Sequence, residues 1–161
     1  MTETTLSLIE AIEKETVHYR RLTELGEAQR GILVSGKMEP LNENIRLQEK
    51  EVFALGPLVS ARVELLEKMG RQTGQTKLDL KEALRLAPAG LSGRMREVVG
   101  RLLDAVKKLD ETNRVNGKLL GNAASFASFT LEAIRGTRKK STFSPMAKTE
   151  SEKPSFVNRV V

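Results

Sequence analysis

A chain of 161 residues that is 39% hydrophobic and 30% charged, with 4% aromatics and no Trp, suits one helical domain built on Leu, Val and Ile rather than an aromatic-rich sandwich. The formal net charge is +6, yet residues 1–135 hold 21 Lys/Arg against 19 Asp/Glu, so the folded part is nearly neutral and gives no broad cationic face for nucleic acid. With no Cys and a single His, thiolate metal sites, disulfides and imidazole clusters are excluded, and the cysteine count agrees with a cytoplasmic protein.

From Thr5 to Leu33, the positions Leu8, Ile12, Tyr19, Leu22 and Leu33 follow a four-three repeat that Leu25, Ala28 and Ile32 broaden, which predicts one long amphipathic helix. Thr4 or Ser7 is expected to cap it, Ser7 with Glu10 having capping-box spacing, and "SGKMEP" ends it with Gly36 left-handed. So short a turn predicts an antiparallel second helix. That helix starts near Glu39 or Pro40 and runs through Leu41, Ile45, Val52, Leu55, Val59, Val63 and Leu66, with a kink expected at Pro57 and a stop at Gly70. "GRQTGQT" reads as a loop, after which Thr76 with Asp79 is expected to cap a short helix to about Arg85.

Beyond Pro88 two adjacent stripes begin, Leu91, Met95, Val98, Leu102, Ala105 and Leu109 on one and Val99, Leu103 and Val106 on the other. A face this wide suits a groove between two helices better than a single coiled-coil seam. Extended onward, the stripes meet Asn113, Asn116 and Gly117 and then turn apolar again. Two readings of the asparagines stay open: a polar seam that fixes helix register, or the end of the bundle where both side chains meet water. The segment "LLGNAASFASFTLEAIRG" spreads Leu120, Phe126, Phe129, Leu131 and Ile134 around much of a helix, more than a peripheral helix buries on one side, which points to a partner surface. Periodicity fails after Gly136. The expected organisation is therefore a helical domain over 1–136 and a flexible basic tail over 137–161, in an all-α fold where a long antiparallel hairpin packs with a long C-terminal helix.

Catalysis finds little support. The acids of "EAIEKE" and "ELLEK" sit on predicted exposed faces beside Lys and Arg, "GLSG" lacks the Lys and strand of a phosphate loop, and His18 is alone. No catalytic residue, metal or cofactor is assigned. "RGTRKK" at Arg135 to Lys140 reads as a solvated, helix-terminating basic run rather than a nucleic-acid site. No stretch has the ~18 apolar residues of a membrane span, and the N-terminus lacks a signal-peptide pattern.

"LDETNRVNGKLLGNAASFASFTLEAIRG" resembles the late helix of FlgN-type flagellar export chaperones, in which Asn-x-x-Asn-x-x-Leu-Leu precedes an apolar segment. Asn113, Asn116, Leu119 and Leu120 match that pattern. The "SGKMEPL" turn and the second helix ending in "ARVELLEKMG", with Arg62, Leu65 and Leu66, are similar in layout. The resemblance spans roughly residues 5–136 and implies a cytoplasmic chaperone that binds C-terminal helical segments of hook-filament junction (hook-associated) proteins before type III export. It also implies contacts with the export platform and its ATPase complex. By the same resemblance the substrate surface is Leu120, Phe126, Phe129, Leu131 and Ile134, with Phe143 a platform contact, in a monomer or weak homodimer. One difference is charge: many export chaperones are acidic, whereas this chain has a pI near 9.7. The alternative from another class is a structural homodimeric bundle that buries the late helix against its own copy.

Overall fold

The computed structural model describes residues 1–117, which form helices α1 (Thr2–Ser35), α2 (Met38–Thr73), α3 (Leu80–Leu86) and α4 (Ala89–Asn116). The all-α architecture expected from periodicity is present, with α1 and α2 as the long hairpin and α3 as the short connector. No strand occurs among the described residues.

Helix α1 starts earlier than its capping pattern suggested. Met1 is the N-cap, no side chain caps the end, and the Thr5 hydroxyl donates to the Met1 carbonyl at 2.9 Å. Ser7 and Glu10 therefore lie inside the helix. Burial of Thr4 and Thr5 draws the first turn into the bundle, and tertiary packing outweighs a local cap. At the other end Gly36 is left-handed at φ 68°, and its amide donates to Ile32 and Leu33, as a glycine stop requires.

Pairings across the helices set their directions. Glu15 faces Arg62 and Gln29 faces Gln48, so α1 and α2 are antiparallel. Glu13 meets Arg94 and Glu27 meets Lys108, so α4 runs parallel to α1. Helix α1 is the shared element, packed along its length against both α2 and α4, while α3 bridges α2 and α4.

This central position explains a burial pattern richer than one stripe. Leu8, Ile12, Tyr19 and Leu22 are buried as expected, but so are Ile9, Thr16, Thr23, Gly26 and Gln29. Buried threonines are tolerable because their hydroxyls bond back one turn, Thr16 to Ile12 at 2.7 Å and Thr23 to Tyr19 at 3.1 Å. The expected stripe fails towards the end of the helix: Ala28 and Leu33 are exposed. Leu55, Val59, Leu66 and Met69 of α2 and Met95, Val98, Leu102, Val106 and Leu109 of α4 complete the core, with Leu78, Leu80 and Ala83 joining it.

Helix α2 continues through Pro57, where the lost amide bond falls at the exposed positions Phe53 and Pro57. Gly70 does not end α2. The helix runs to Thr73, and Gly74 is the left-handed residue at φ 72°. Gly70 is small for another reason, since a Cβ there would lie 2.8 Å from the Gln75 carbonyl oxygen as the chain folds back. The short helix is capped by Asp79, not Thr76. Glu82 donates its amide to Asp79 Oδ1 at 2.7 Å and returns its carboxylate to the Asp79 amide at 3.0 Å, a complete capping box.

Candidate functional site

The last two turns of α4 carry the asparagines singled out from sequence, and both are buried, with 3% and 8% of Asn113 and Asn116 exposed. The reading in which they meet water is overturned. Asn116 Nδ2 donates to the Gly26 carbonyl of α1 and approaches Gln29 Oε1 at 3.4 Å. Gln29 Oε1 also accepts from Gln48 Nε2 of α2 at 3.3 Å, and Asn44 Nδ2 donates to the Leu25 carbonyl at 2.9 Å. One amide layer thus ties three helices together near the end of α4.

The layer is under-satisfied. Among the described residues, the buried side-chain polar atoms without a hydrogen-bond partner are Gln29 Nε2, Gln48 Oε1, Asn116 Oδ1 and both terminal atoms of Asn113. Each such group costs about 1–3 kcal/mol, so the layer specifies an arrangement at the expense of stability. Close approach of the helices permits it. Gly26 lies so near α4 that a Cβ would sit 2.7 Å from Thr112 Cγ2 and 3.7 Å from Asn116 Nδ2. Immediately after Asn116, Gly117 leaves the helix at φ 76° and ψ −152°. Helix α4 ends there, and the rest of the stretch through which periodicity extends it lies outside the described residues.

A second polar feature lies between α1 and α2. Arg62 Nε donates to Glu15 Oε2 at 2.8 Å and its Nη2 reaches Oε1 at 3.4 Å, with both side chains fully buried. Burial alone lowers the Arg62 pKa, but the Glu15 carboxylate, by charge and hydrogen bonding, and Tyr19 outweigh it and hold the guanidinium above its ordinary value. Glu15 therefore corrects the reading that placed the "EAIEKE" acids on an exposed face. Its neighbours Glu10 and Glu13 do lie outward, Glu13 beside Arg94 and Arg101.

His18 is paired through Nδ1 with Glu51 across the hairpin. Among the described residues no group of three or more His, Asp or Glu could hold a metal ion, and no helix is long and apolar enough to cross a membrane. A groove of about 300 Å³ between α1 and α4 is lined by Arg20, Glu24, Glu27, Arg101, Asp104 and Lys108, whose charges cancel. Leu120, Phe126, Phe129, Leu131, Ile134 and Phe143 lie outside the described residues.

The fold and site define a helical bundle whose polar layer fixes the end of α4 just before an apolar, aromatic run in the sequence. The model of the FlgN protein family matches residues 1–151, and the chain belongs to that family, one of flagellar export chaperones that bind flagellar proteins. Neither a search of curated proteins nor one of solved structures returned a match.

Proposed function

We propose that this chain is a cytoplasmic type III flagellar export chaperone that binds the C-terminal helical segments of hook-filament junction proteins through Leu120, Phe126, Phe129, Leu131 and Ile134. The observation that carries the reading is the family match, which continues through that apolar run to residue 151. Covering the partner's apolar face prevents premature association of junction proteins, and no bond chemistry is required. Delivery follows when the export platform and ATPase complex compete for the complex, with Phe143 in the tail as a platform contact. In this reading residues 1–136 are the chaperone domain and 137–161 a tail.

Titration calorimetry with synthetic C-terminal segments of junction proteins tests the surface. A buried Phe contributes about 1.5–3 kcal/mol, so Phe126→Ala or Phe129→Ala is expected to weaken binding by roughly tenfold or more while circular dichroism stays native. Unchanged affinity in both variants would remove the site assignment. Phe143→Ala is expected to keep segment binding and lose platform binding. Light scattering separates the chaperone from a structural homodimer, since a tight dimer dispersed by Phe126→Asp favours the latter.

A further inference from the structure

We infer that the flank of the hairpin turned away from α4 is a docking surface for a partner helix with an aliphatic stripe and acidic edges. Along α2, Leu47, Ala54, Leu58, Ala61 and Leu65 stand seven, four, three and four residues apart, a spacing that holds them on one face. Leu47 is 41% exposed and the other four are half-buried. Glu51 belongs to the same face, four residues after Leu47 and seven before Leu58, and it pairs with His18 and Arg21 of α1. The strip therefore borders α1 at His18. Helix α4 meets α1 elsewhere, at Glu13 and Glu27, and the α1–α4 groove is lined by Arg20, two residues and more than half a turn from His18. The short α3 bridges α2 to α4, so on the strip side α1 and α2 have no third helix among the described residues.

The other flank of α1 already holds a helix, α4, and the strip has the form to receive one too. From Leu47 to Leu65 it is about 27 Å long, roughly five helical turns, with Ala54 and Ala61 leaving the middle shallow enough for close approach. Charge decides the partner. Lys14 of α1, four residues before His18, rims one side; Lys50 and Lys68, four residues before Ala54 and seven after Ala61, rim the other. All three are exposed and form no ion pair among the described residues. The acids nearby are engaged or lie farther out: Glu51 is held by α1, Glu43 by Arg46, and Glu10 and Glu64 fall in line with the exposed Val17 and Pro57. Free lysines on both rims favour carboxylates on the incoming helix. They disfavour a second copy of the chain, since a two-fold contact sets the same lysine-rimmed patch against itself. This surface is separate from residues 120–134 and stands whether or not they bind junction proteins.

A fluorescent peptide of about three heptads, with Leu at a and d and Glu at e and g, repels its own copies and so stays free to bind. Titrated with the full-length protein, it is expected to bind with an affinity that falls as salt rises, while the same peptide with Lys in place of Glu does not bind. Ala61→Glu, which puts a like charge into the contact, is expected to weaken binding about tenfold or more. Replacing Lys14, Lys50 and Lys68 together by Ala is expected to weaken it about three- to 100-fold, and because those side chains are exposed this variant answers the question even if Ala61→Glu fails to fold. Phe53→Ala, exposed on another face of α2, should leave affinity unaltered. No binding of the Glu peptide, equal binding of the Lys peptide, or wild-type affinity in the triple lysine variant would overturn the inference. So would a dimer of the wild type that Ala61→Glu disperses, which would give the strip to a second copy.

Discussion

Arg62 keeps its charge inside the bundle because the Glu15 carboxylate compensates it. Removing one partner strands a buried charge, so Glu15→Gln or Arg62→Met is expected to lower unfolding free energy by about 3–5 kcal/mol in urea titrations. Replacing both, Glu15→Leu with Arg62→Met, should recover most of the loss. Since the folded-state pKa of Arg62 is raised, its contribution is complete below its ordinary range and is lost only as pH climbs through the raised value in strongly alkaline solution. The pair therefore gives no pH dependence near neutrality through Arg62. Asn113 poses the opposite case, with both polar atoms buried and without a partner among the described residues. Asn113→Leu removes that desolvation penalty at similar volume and is expected to stabilise by about 1–3 kcal/mol, read as a higher thermal midpoint. The ion pair was not legible in the sequence, and the buried asparagines were legible only as one of two readings. Acids beside Lys look solvated in any helix, and only the register of α1 against α2 reveals that Glu15 points inward. The asparagines stood out by falling on an apolar stripe, yet their burial depends on α1 and α2 reaching far enough to cover them.

At the scale of elements, the α1–α4 contact turns on one glycine. Gly26→Ala gains up to about 1 kcal/mol of helix propensity but drives a methyl into Thr112 Cγ2, whose rotamer is held by a 2.9 Å hydroxyl bond to the Lys108 carbonyl. The expected net effect is destabilisation by about 1–2 kcal/mol, visible by chemical denaturation. Adding Thr112→Ser deletes the obstructing methyl and should return stability to wild type or above. If Gly26→Ala alone stabilised the protein, the close approach would have no energetic weight. Helix existence and order were readable from the 3.6-residue period, and so was the stop at Gly36, whereas the other helix ends were not. Gly70 and Gly74 look alike in sequence, and only the path of the returning loop decides that the first is a packing glycine and the second a stop. Ser7 with Glu10 matched a capping box by spacing, but burial of Thr4 and Thr5 moved the true start upstream.

For the molecule as a whole, α1 is the spine to which the other long helices attach. A two-face helix was hinted at by Leu25, Ala28 and Ile32 widening the stripe, but beside Ile9 its second face is built of Thr16, Thr23, Gly26 and Gln29, types that hydropathy patterns pass over. A fragment ending at residue 73 keeps the hairpin and loses α4, leaving one side of α1 bare. It is expected to bind more anilinonaphthalene sulfonate per chain than the full-length protein and to self-associate in light scattering; a dye-silent monomer would contradict the spine arrangement. The same geometry has a meaning in time. Gly26 and Asn116 meet across 90 positions of sequence. At translation rates of about 5–20 residues per second, α1 waits roughly 5–20 s after leaving the ribosome before its second partner is made. The threonines, glycine and glutamine of that waiting face, less adhesive than leucines, suit a surface that must remain unoccupied while the remainder of the chain is synthesised.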